Sequence, residues 1–166
     1  MPDFVCSLIT QQGIKQTIPP SDGYTLVRFP FDVESSDDHG MHPEVQPDTG
    51  ETVTYISPRS GLIWPCHTAW GQLYALMYWD AGPYTEVRSR FVRDPLGLTQ
   101  EPDSTCTEDH PDTVGGQYRA KSWGMWVRVG QPLGLMVRHN ADVPVRLAFA
   151  EFKVAYHLDP APVPPV

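Results

Sequence analysis

The chain has 166 residues, with 20 acidic and 12 basic side chains and a net charge of −8. This length predicts one domain with a sizeable core, and the 18 prolines and 13 glycines predict many turns. The basic residues form no stripe along the chain, which argues against direct binding of nucleic acid.

Residues 1–22 contain few apolar side chains, and they lack the basic start and the long apolar run of a signal peptide. No segment of the chain reaches the ~18 continuous apolar residues of a membrane span. The three cysteines show no CxxC spacing, so we expect folding in a reducing cytosol and no contact with a membrane. We predict that residues 1–22 form an N-terminal arm that orders on a partner's surface. The residues predicted to attach this arm are Phe4, Val5, Leu8, Ile9, Ile14 and Ile18.

Strand-like segments follow the arm, spaced roughly every ten residues, and no helical apolar stripe is free of proline or glycine. This pattern predicts an all-β fold, either a sandwich or a barrel. The acidic stretch 32–51 and the polar stretch 94–116 are predicted loops. Residues 159–166 are predicted to form an extended, proline-rich tail. The predicted strands lie within 23–31, 51–56, 62–70, 72–79, 84–93, 117–129, 133–139 and 145–158.

The segment 72–79 is apolar on both of the faces that a strand would present. In a two-sheet sandwich one face of each strand is normally wet, so a second apolar face needs a cover. A neighbouring subunit is the interpretation that we favour, and a cover formed by the arm 1–22 is the alternative. The last segment, 145–158, has a similar pattern. The residues predicted to contact neighbouring subunits are Tyr74, Leu76, Tyr78, Leu147 and Phe149.

Three stretches carry a resemblance to known proteins: FPFDVESSDDHGMHPEV (29–45), TVTYISPRSGLIW (52–64) and VRVGQPLGLMVRHNADVPVRLAFAEFKVAYHL (127–158). Together they resemble the jelly rolls of tumour necrosis factor and of the complement globular heads. In that family a penultimate strand follows a glycine-containing turn and a long last strand closes the domain. The resemblance implies an all-β, two-sheet antiparallel jelly-roll sandwich of about eight strands in residues 23–158, assembled as a trimer.

The chain departs from that family at Gly130-Gln131, where Gly-Asp is usual. The segment from Phe29 to His42 also resembles short jelly-roll virion proteins of tailed bacteriophages that infect actinobacteria. That resemblance implies a homotrimer bound to the major capsid protein lattice, in a virion assembled in the host cytoplasm. We therefore expect a non-enzymatic decoration protein that stabilises the outside of the capsid shell. The alternative is a tail-tip or receptor-binding head that recognises a host cell-surface glycan.

The stretch 32–51 holds seven acidic residues and no basic one. Carboxylates this close in sequence could hold a calcium ion, although their spacing is not that of an EF-hand. His39 and His42 lack the spacing of a cupin-type metal site. We expect a solvated loop, no catalytic residue and no cofactor, with a structural cation as the alternative. The residues that could hold such a cation are Asp32, Glu34, Asp37 and Asp38.

Cys66 and His67 are neighbours in a predicted strand, where adjacent side chains point to opposite faces. We therefore expect a buried, inert thiol rather than a nucleophilic pair. Trp123 and Trp126 are three residues apart, so at most one of them is expected at the surface, where its ring could stack on a sugar. The core is the location that we favour for both rings.

Overall fold

A computed structural model describes residues 3–10 and 15–158 of the chain, so the predicted tail (159–166) and Ile14 lie outside the described residues. Within this part of the chain there are nine strands and one turn of 3₁₀ helix, Pro58–Gly61. No helix among these residues is long and apolar enough to cross a membrane. The strands are β1 (Asp3–Ile9), β2 (Gln16–Ile18), β3 (Thr25–Leu26), β4 (Ala69–Trp79), β5 (Glu86–Arg93), β6 (Asp103–Pro111), β7 (Gln117–Val127), β8 (Leu133–His139) and β9 (Val145–His157).

The strands pair in two antiparallel sheets. Sheet I has the order β1-β9-β4-β7, and β2 pairs with the first residues of β9. Sheet II has the order β3-β8-β5-β6. Strands that are distant in sequence lie side by side, since β4 is flanked by β7 and β9. This arrangement confirms the predicted all-β, two-sheet antiparallel jelly-roll sandwich.

The core lies between the two sheets, because alternate residues of each strand point inwards and are apolar. The ring of Phe152 in β9 stacks on Phe91 in β5, with centroids 5.8 Å apart, and lies 6.4 Å from the ring of Phe29. All three side chains are fully buried. Complete burial of a side chain of this kind contributes about 1.5–3 kcal/mol, so these rings hold the sheets together.

Residues 3–9 and 16–18 of the segment predicted to be a separate N-terminal arm are strands of the sandwich, so that prediction is wrong for these residues. All seven residues of β1 pair with β9, and β2 pairs with the other end of the same strand. Phe4, Leu8 and Ile18 are at most 6 % exposed. Val5 and Ile9 lie on the outer face and are half-buried. Since three of the predicted attachment residues belong to the chain's own core, they are not free to bind a partner.

The polar stretch 94–116, predicted to be a loop, contains β6. This strand is an edge of sheet II and most of its side chains are polar and partly or fully exposed, so it lacks the apolar alternation that marks a strand. Backbone pairing with β5 holds it in place. Conversely, much of the predicted strand 23–31 is irregular, because β3 has two residues. The predicted strand 51–56 contributes a single bridge, between Thr52 and Val45.

One half of the outer face of sheet II is covered by the chain's own loops. Leu26, Leu62 and Trp64 are buried there in a small cluster, and Leu96 and Leu98 pack against it. The loops before β4 and after β5 therefore supply the cover that this part of the sheet needs.

The loop after β5 is fixed by Asp94, which is fully buried. Its carboxylate accepts hydrogen bonds from the backbone N–H groups of Leu98 (2.6 Å), Thr99 (2.9 Å) and Glu101 (3.2 Å), and from the Thr99 hydroxyl (2.8 Å). Burial alone would raise the pKa of the Asp94 carboxyl. The hydrogen bonds outweigh burial and hold this pKa below its usual value.

Candidate interaction surface on sheet I

The outer face of sheet I is rich in aromatic side chains, and we call it the aromatic face. Along β4 and β7, the residues of the aromatic face alternate with residues that point into the core. Side chains therefore change from buried to more exposed at nearly every position. Within the described part of the chain, every exposed aromatic side chain belongs to β4 or β7. The aromatic side chains of this face are Trp70, Tyr74 and Tyr78 of β4, Tyr118 and Trp126 of β7, and Phe149 of β9.

The register of β4 and β7 sorts these rings into two groups. Tyr78 lies opposite Tyr118 at one end, with ring centroids 4.4 Å apart. Trp70 lies opposite Trp126 at the other end, and the two rings meet edge to face at 6.1 Å. Tyr118 is 65 % exposed and both tryptophans are more than half exposed. Each pair is therefore built across the strands and leaves a large apolar area in contact with water.

A depression of about 650 Å³ separates the two aromatic groups. Its β7 side is low because Ala120 and Ser122 are small, and Tyr74 forms part of the lining on β4. Glu151 and Lys153 of β9 close the depression and form an ion pair of 2.9 Å with each other. The middle of the aromatic face is thus concave and nearly neutral, whereas its ends are raised and apolar.

Lys121 lies at the edge of this depression and points between the sheets, with 1 % of its side chain exposed. Its ammonium donates to the carbonyl and the hydroxyl of Ser89, both at 3.2 Å, and to the carbonyl of Cys106. Burial lowers the pKa of the Lys121 ammonium below its usual value, although Cys106 and Glu108 oppose that effect. Because its donors are occupied by the protein, we assign Lys121 to joining the two sheets.

Four of the five predicted subunit-contact residues lie on the aromatic face. Tyr74 is 44 % exposed, and Leu76, Tyr78 and Phe149 are half-buried. Leu147 is different, because it is 2 % exposed and belongs to the core. The pairing of β9 with β4 shifts by one residue at this point, so that Leu147 pairs with Trp79 and turns inwards. The prediction for Leu147 is therefore wrong, since simple alternation does not reveal a β-bulge.

A second depression, of about 540 Å³, adjoins the tryptophan pair. Trp70, Trp126, His157 and Leu158 are among its lining residues. The expectation that at most one of Trp123 and Trp126 is at the surface is wrong, since their side chains are 48 % and 55 % exposed. Trp123 does point to the opposite face, but β7 is the edge strand of sheet I and leaves that ring open.

The acidic stretch 32–51 uses three of its carboxylates within the protein, and one of them, Asp48, accepts hydrogen bonds from the guanidinium of Arg59 at 2.7 Å and 3.0 Å. The Asp37 carboxylate accepts hydrogen bonds from the N–H groups of Met41 and His42, both at 2.8 Å. The ring of His42 lies with Nδ1 2.6 Å from Glu34 and donates from Nε2 to the Ser60 carbonyl at 2.8 Å. These contacts fasten the stretch to the neighbouring turn.

The four cation candidates are not gathered around a common point. Glu34 and Asp37 are half-buried and engaged with the protein, whereas Asp32 and Asp38 are exposed. Among residues 3–10 and 15–158, no group of three or more His, Cys, Asp and Glu side chains could hold a metal ion. The contacts of Glu34 and Asp37 give the stretch a role in folding.

Cys66 and His67 do not lie in a strand. The expectation that their side chains point to opposite faces of a strand is therefore wrong. The Cys66 sulfur is 3.3 Å from Nδ1 of His67 and 3.1 Å from the hydroxyl of Tyr156. That hydroxyl also accepts hydrogen bonds from the N–H groups of both residues, each at 3.2 Å. Burial, followed by Cys66, raises the pKa of the Tyr156 phenol above its usual value. The cluster therefore fixes the chain just before β4 through a neutral phenol.

Sequence reasoning identified the β4 side of the aromatic face and missed the β7 side. Tyr118, Ala120, Ser122, Gly124 and Trp126 share one face of β7 at intervals of two residues, which is the period that was applied to 72–79. The same reading of 117–127 would have found the two aromatic ends. Lys121 carried no comparable signal, because a lysine on a strand is normally expected to face water.

Solved structures share this architecture. One is the Eiger TNF from S. frugiperda, with a TM-score of 0.58, 12 % identity, and 100 % of both chains covered. The globular domain of zebrafish complement 1qA protein has a TM-score of 0.51 and 12 % identity, with 90 % of this chain and 94 % of that chain covered. Murine APRIL has a TM-score of 0.56 and 11 % identity, with 92 % and 98 % covered. No family model and no curated protein matches the chain. These likenesses show a jelly roll of the TNF and C1q type.

Proposed function

We propose that this protein is a non-enzymatic homotrimer that serves as a structural decoration protein on the capsid of a tailed bacteriophage. The observation that carries the proposal is the aromatic face, since exposed aromatic rings concentrated on one sheet of a small domain mark an interaction surface. Aromatic residues are enriched in the centres of protein interfaces, where their large apolar area leaves water.

The shape of the aromatic face suits a closed ring of subunits. Its two raised ends and its concave middle can receive a different surface of a neighbouring subunit, which is the kind of contact that the proposal requires. A contact between two different surfaces closes into a ring when the rotation between subunits allows it, and three subunits make the smallest such ring beyond a dimer. Tyr118 reaches the free edge of sheet I, which is where a neighbour can approach.

Support for the capsid as partner comes from residues 29–42, whose sequence resembles small virion proteins. A threefold trimer matches the local threefold positions of an icosahedral shell. The acidic stretch 32–51 would keep a densely decorated surface soluble, because like charges repel one another. Attachment to the lattice uses a surface of the folded sandwich, since β1 is committed to sheet I.

The trimer is tested by the double substitution Tyr74→Glu and Tyr78→Glu. Wild-type protein is expected to sediment at three times the 18.6 kDa of one chain, and the variant at the mass of a single chain. The matched control is Ile56→Glu, which places the same charge on an apolar side chain that is 77 % exposed and outside the aromatic face. A wild-type monomer at micromolar concentration, or a variant that remains trimeric, contradicts the proposal.

A second candidate function is recognition of a host cell-surface glycan by a tail-tip head. The observation that favours it is the depression beside Trp70 and Trp126, whose exposed rings could stack on a sugar. Images of the native particle separate the two functions. Density at threefold positions of the head supports decoration, density at the tail tip supports glycan recognition, and absence from the particle contradicts both.

A further inference from the structure

The open half of the outer face of sheet II carries three arginines around one tyrosine. Arg88 and Arg90 belong to β5, Arg138 belongs to β8, and the ring of Tyr24 lies beside them. We call these four residues the arginine cluster. Arg88 and Arg138 are direct cross-strand partners, an arrangement in which like charges repel. In a chain with a net charge of −8, such a concentration of positive charge needs an explanation.

Only one of the three guanidinium groups forms an ion pair with a carboxylate among the residues that the structure describes. Arg88 pairs with Glu86 and lies opposite Asp109 in the register of β5 and β6. In the described part of the chain, no carboxylate oxygen lies within 4.0 Å of the guanidinium of Arg90 or of Arg138. The repulsion within the arginine cluster is therefore only partly relieved by the protein itself.

The ring of Tyr24 orders these two groups. The guanidinium carbon of Arg90 lies 3.9 Å from the ring centroid, and that of Arg138 lies 5.8 Å from it. Stacking of this kind holds a guanidinium by its face and leaves its N–H edge for a planar or tetrahedral anion. Arg138 also donates to the Asp22 carbonyl at 3.1 Å, which limits its movement.

Unsatisfied donors point to the same ligand. Within residues 3–10 and 15–158, the Nε atoms of Arg90 and Arg138 are buried and have no hydrogen-bond partner. An unpaired, buried N–H costs free energy, so two of them on neighbouring arginines indicate an acceptor that the described residues do not provide. An oxyanion supplies several acceptor oxygens and neutralises the charge at once.

We propose that the arginine cluster binds a phosphate or sulfate group through Arg90 and Arg138, with Tyr24 as the positioning residue. Tetrahedral oxyanions match the forked donors of arginine, and both unpaired Nε–H groups belong to the two side chains that stack on Tyr24. The group is either a free ion or a substituent on a polymer, and both present the same oxygens. This site is independent of the aromatic face and does not rest on the trimer.

Titration of the whole protein with inorganic phosphate and with inorganic sulfate, followed through the ¹H–¹⁵N signals of the arginine Nε–H groups, tests this site. The Arg90 and Arg138 signals are expected to shift and to saturate, while that of Arg128, an exposed arginine after β7, stays in place. Acetate at equal ionic strength is expected to leave all three unchanged. Shifts that are equal for all three arginines and linear with concentration overturn the proposal.

Substitutions complete the test. Arg90→Gln is expected to weaken the affinity for the anion, read from saturation of the Arg138 signal, about tenfold. Tyr24→Leu is expected to weaken this affinity less, because the charges remain. Arg128→Gln is the matched control and leaves the affinity unchanged. Dextran sulfate distinguishes the sources: much tighter binding than inorganic sulfate assigns the group to a polymer, and equal binding per sulfate assigns it to a free ion. Unchanged binding in Arg90→Gln and Tyr24→Leu overturns the site.

Discussion

The outer faces of the two sheets differ although both sheets belong to one sandwich. The aromatic face of sheet I exposes large apolar rings, and its Glu151 and Lys153 neutralise each other. The outer face of sheet II hides its apolar half under two loops and exposes an arginine cluster on the other half. Apolar residues outside the core are therefore covered by the chain's own loops on sheet II, whereas among the described residues those of the aromatic face stay exposed.

The difference follows from the connections between strands. On sheet II the turn at Pro58–Gly61 and the loop held by Asp94 contribute to a small buried cluster. On sheet I, the aromatic face remains open among the described residues, because its rings on β4 and β7 stay exposed. We therefore expect substitutions on sheet II to change the free energy of unfolding of one chain, and substitutions on the aromatic face to change assembly.

The largest effect on stability is expected from Gly61→Ala, under the cover of sheet II. An added methyl group would overlap the carbonyl oxygen of Val27 and lie 2.9 Å from Cγ of Leu26. Since the backbone cannot move away cheaply, unfolding by urea should show a loss of about 3 kcal/mol. Gly23→Ala, which meets only ordinary contacts, is the control. Equal stability of the two variants would show that the cover of sheet II is loose.

Tyr156→Phe tests the inner side of sheet I. The substitution leaves the N–H groups of Cys66 and His67 without their acceptor, which should cost about 1–3 kcal/mol. Because the pKa of Tyr156 is raised in the folded protein, its contribution is complete below the ordinary value of 10.0 and is lost as the pH rises above it. The variant should therefore lose less stability above pH ~10 than wild type. Tyr84→Phe, which removes a hydroxyl that donates to the Asp80 carbonyl, is the matched control for the loss of one tyrosine hydroxyl.

Asp94→Asn tests the loop that covers part of sheet II, through the dependence of stability on acid pH. The lowered pKa of Asp94 means that its contribution is complete above the ordinary value of 3.8 and is lost as the pH falls through the lower folded value. The variant should lose about 1–3 kcal/mol at neutral pH and should show a shallower decline below pH ~4. Asp38→Asn, at an exposed carboxylate, is the control for urea unfolding. If the stability of the variant falls with acid as steeply as that of wild type, Asp94 does not account for the loss of stability in acid.

The smallest effect on the single chain is expected from Tyr118→Ala on the aromatic face. Loss of its contact with Tyr78 should cost about 0.5–1.5 kcal/mol in the unfolding of one chain. The same substitution should raise the protein concentration at which the proposed trimer dissociates, as measured by sedimentation. Val114→Ala, at a fully exposed residue in the preceding turn, is the control and should change neither quantity. A stability loss without any change in assembly would separate Tyr118 from the proposed interface.

The parts of the fold that follow simple alternation could be predicted from the sequence. The segment 72–79 lies within β4, and Tyr74 and Tyr78 lie on its outer face as expected. Leu147 was misplaced because a bulge reverses the side of a residue without changing its sequence neighbours. β6 was missed because an edge strand with polar, largely exposed side chains has the composition of a loop.

The candidate sites show the same division. The acidic stretch 32–51 can be recognised in the sequence from its charges. That Glu34 contacts the His42 ring rather than a cation depends on where the fold places His42. The arginine cluster was invisible in sequence, because its members come from β5, from β8 and from the segment before β3. Long-range pairing alone brings those side chains together.

By itself, the sequence determined the class of the fold and the presence of an apolar surface beyond the core, because both depend on the period of two along each strand. Only the tertiary structure decided that residues 3–9 complete sheet I rather than form an arm, since their partner β9 lies near the other end of the chain. Tertiary structure likewise decided which apolar residues are covered. Coverage depends on where loops pass over a sheet, and no local pattern of residues records that path.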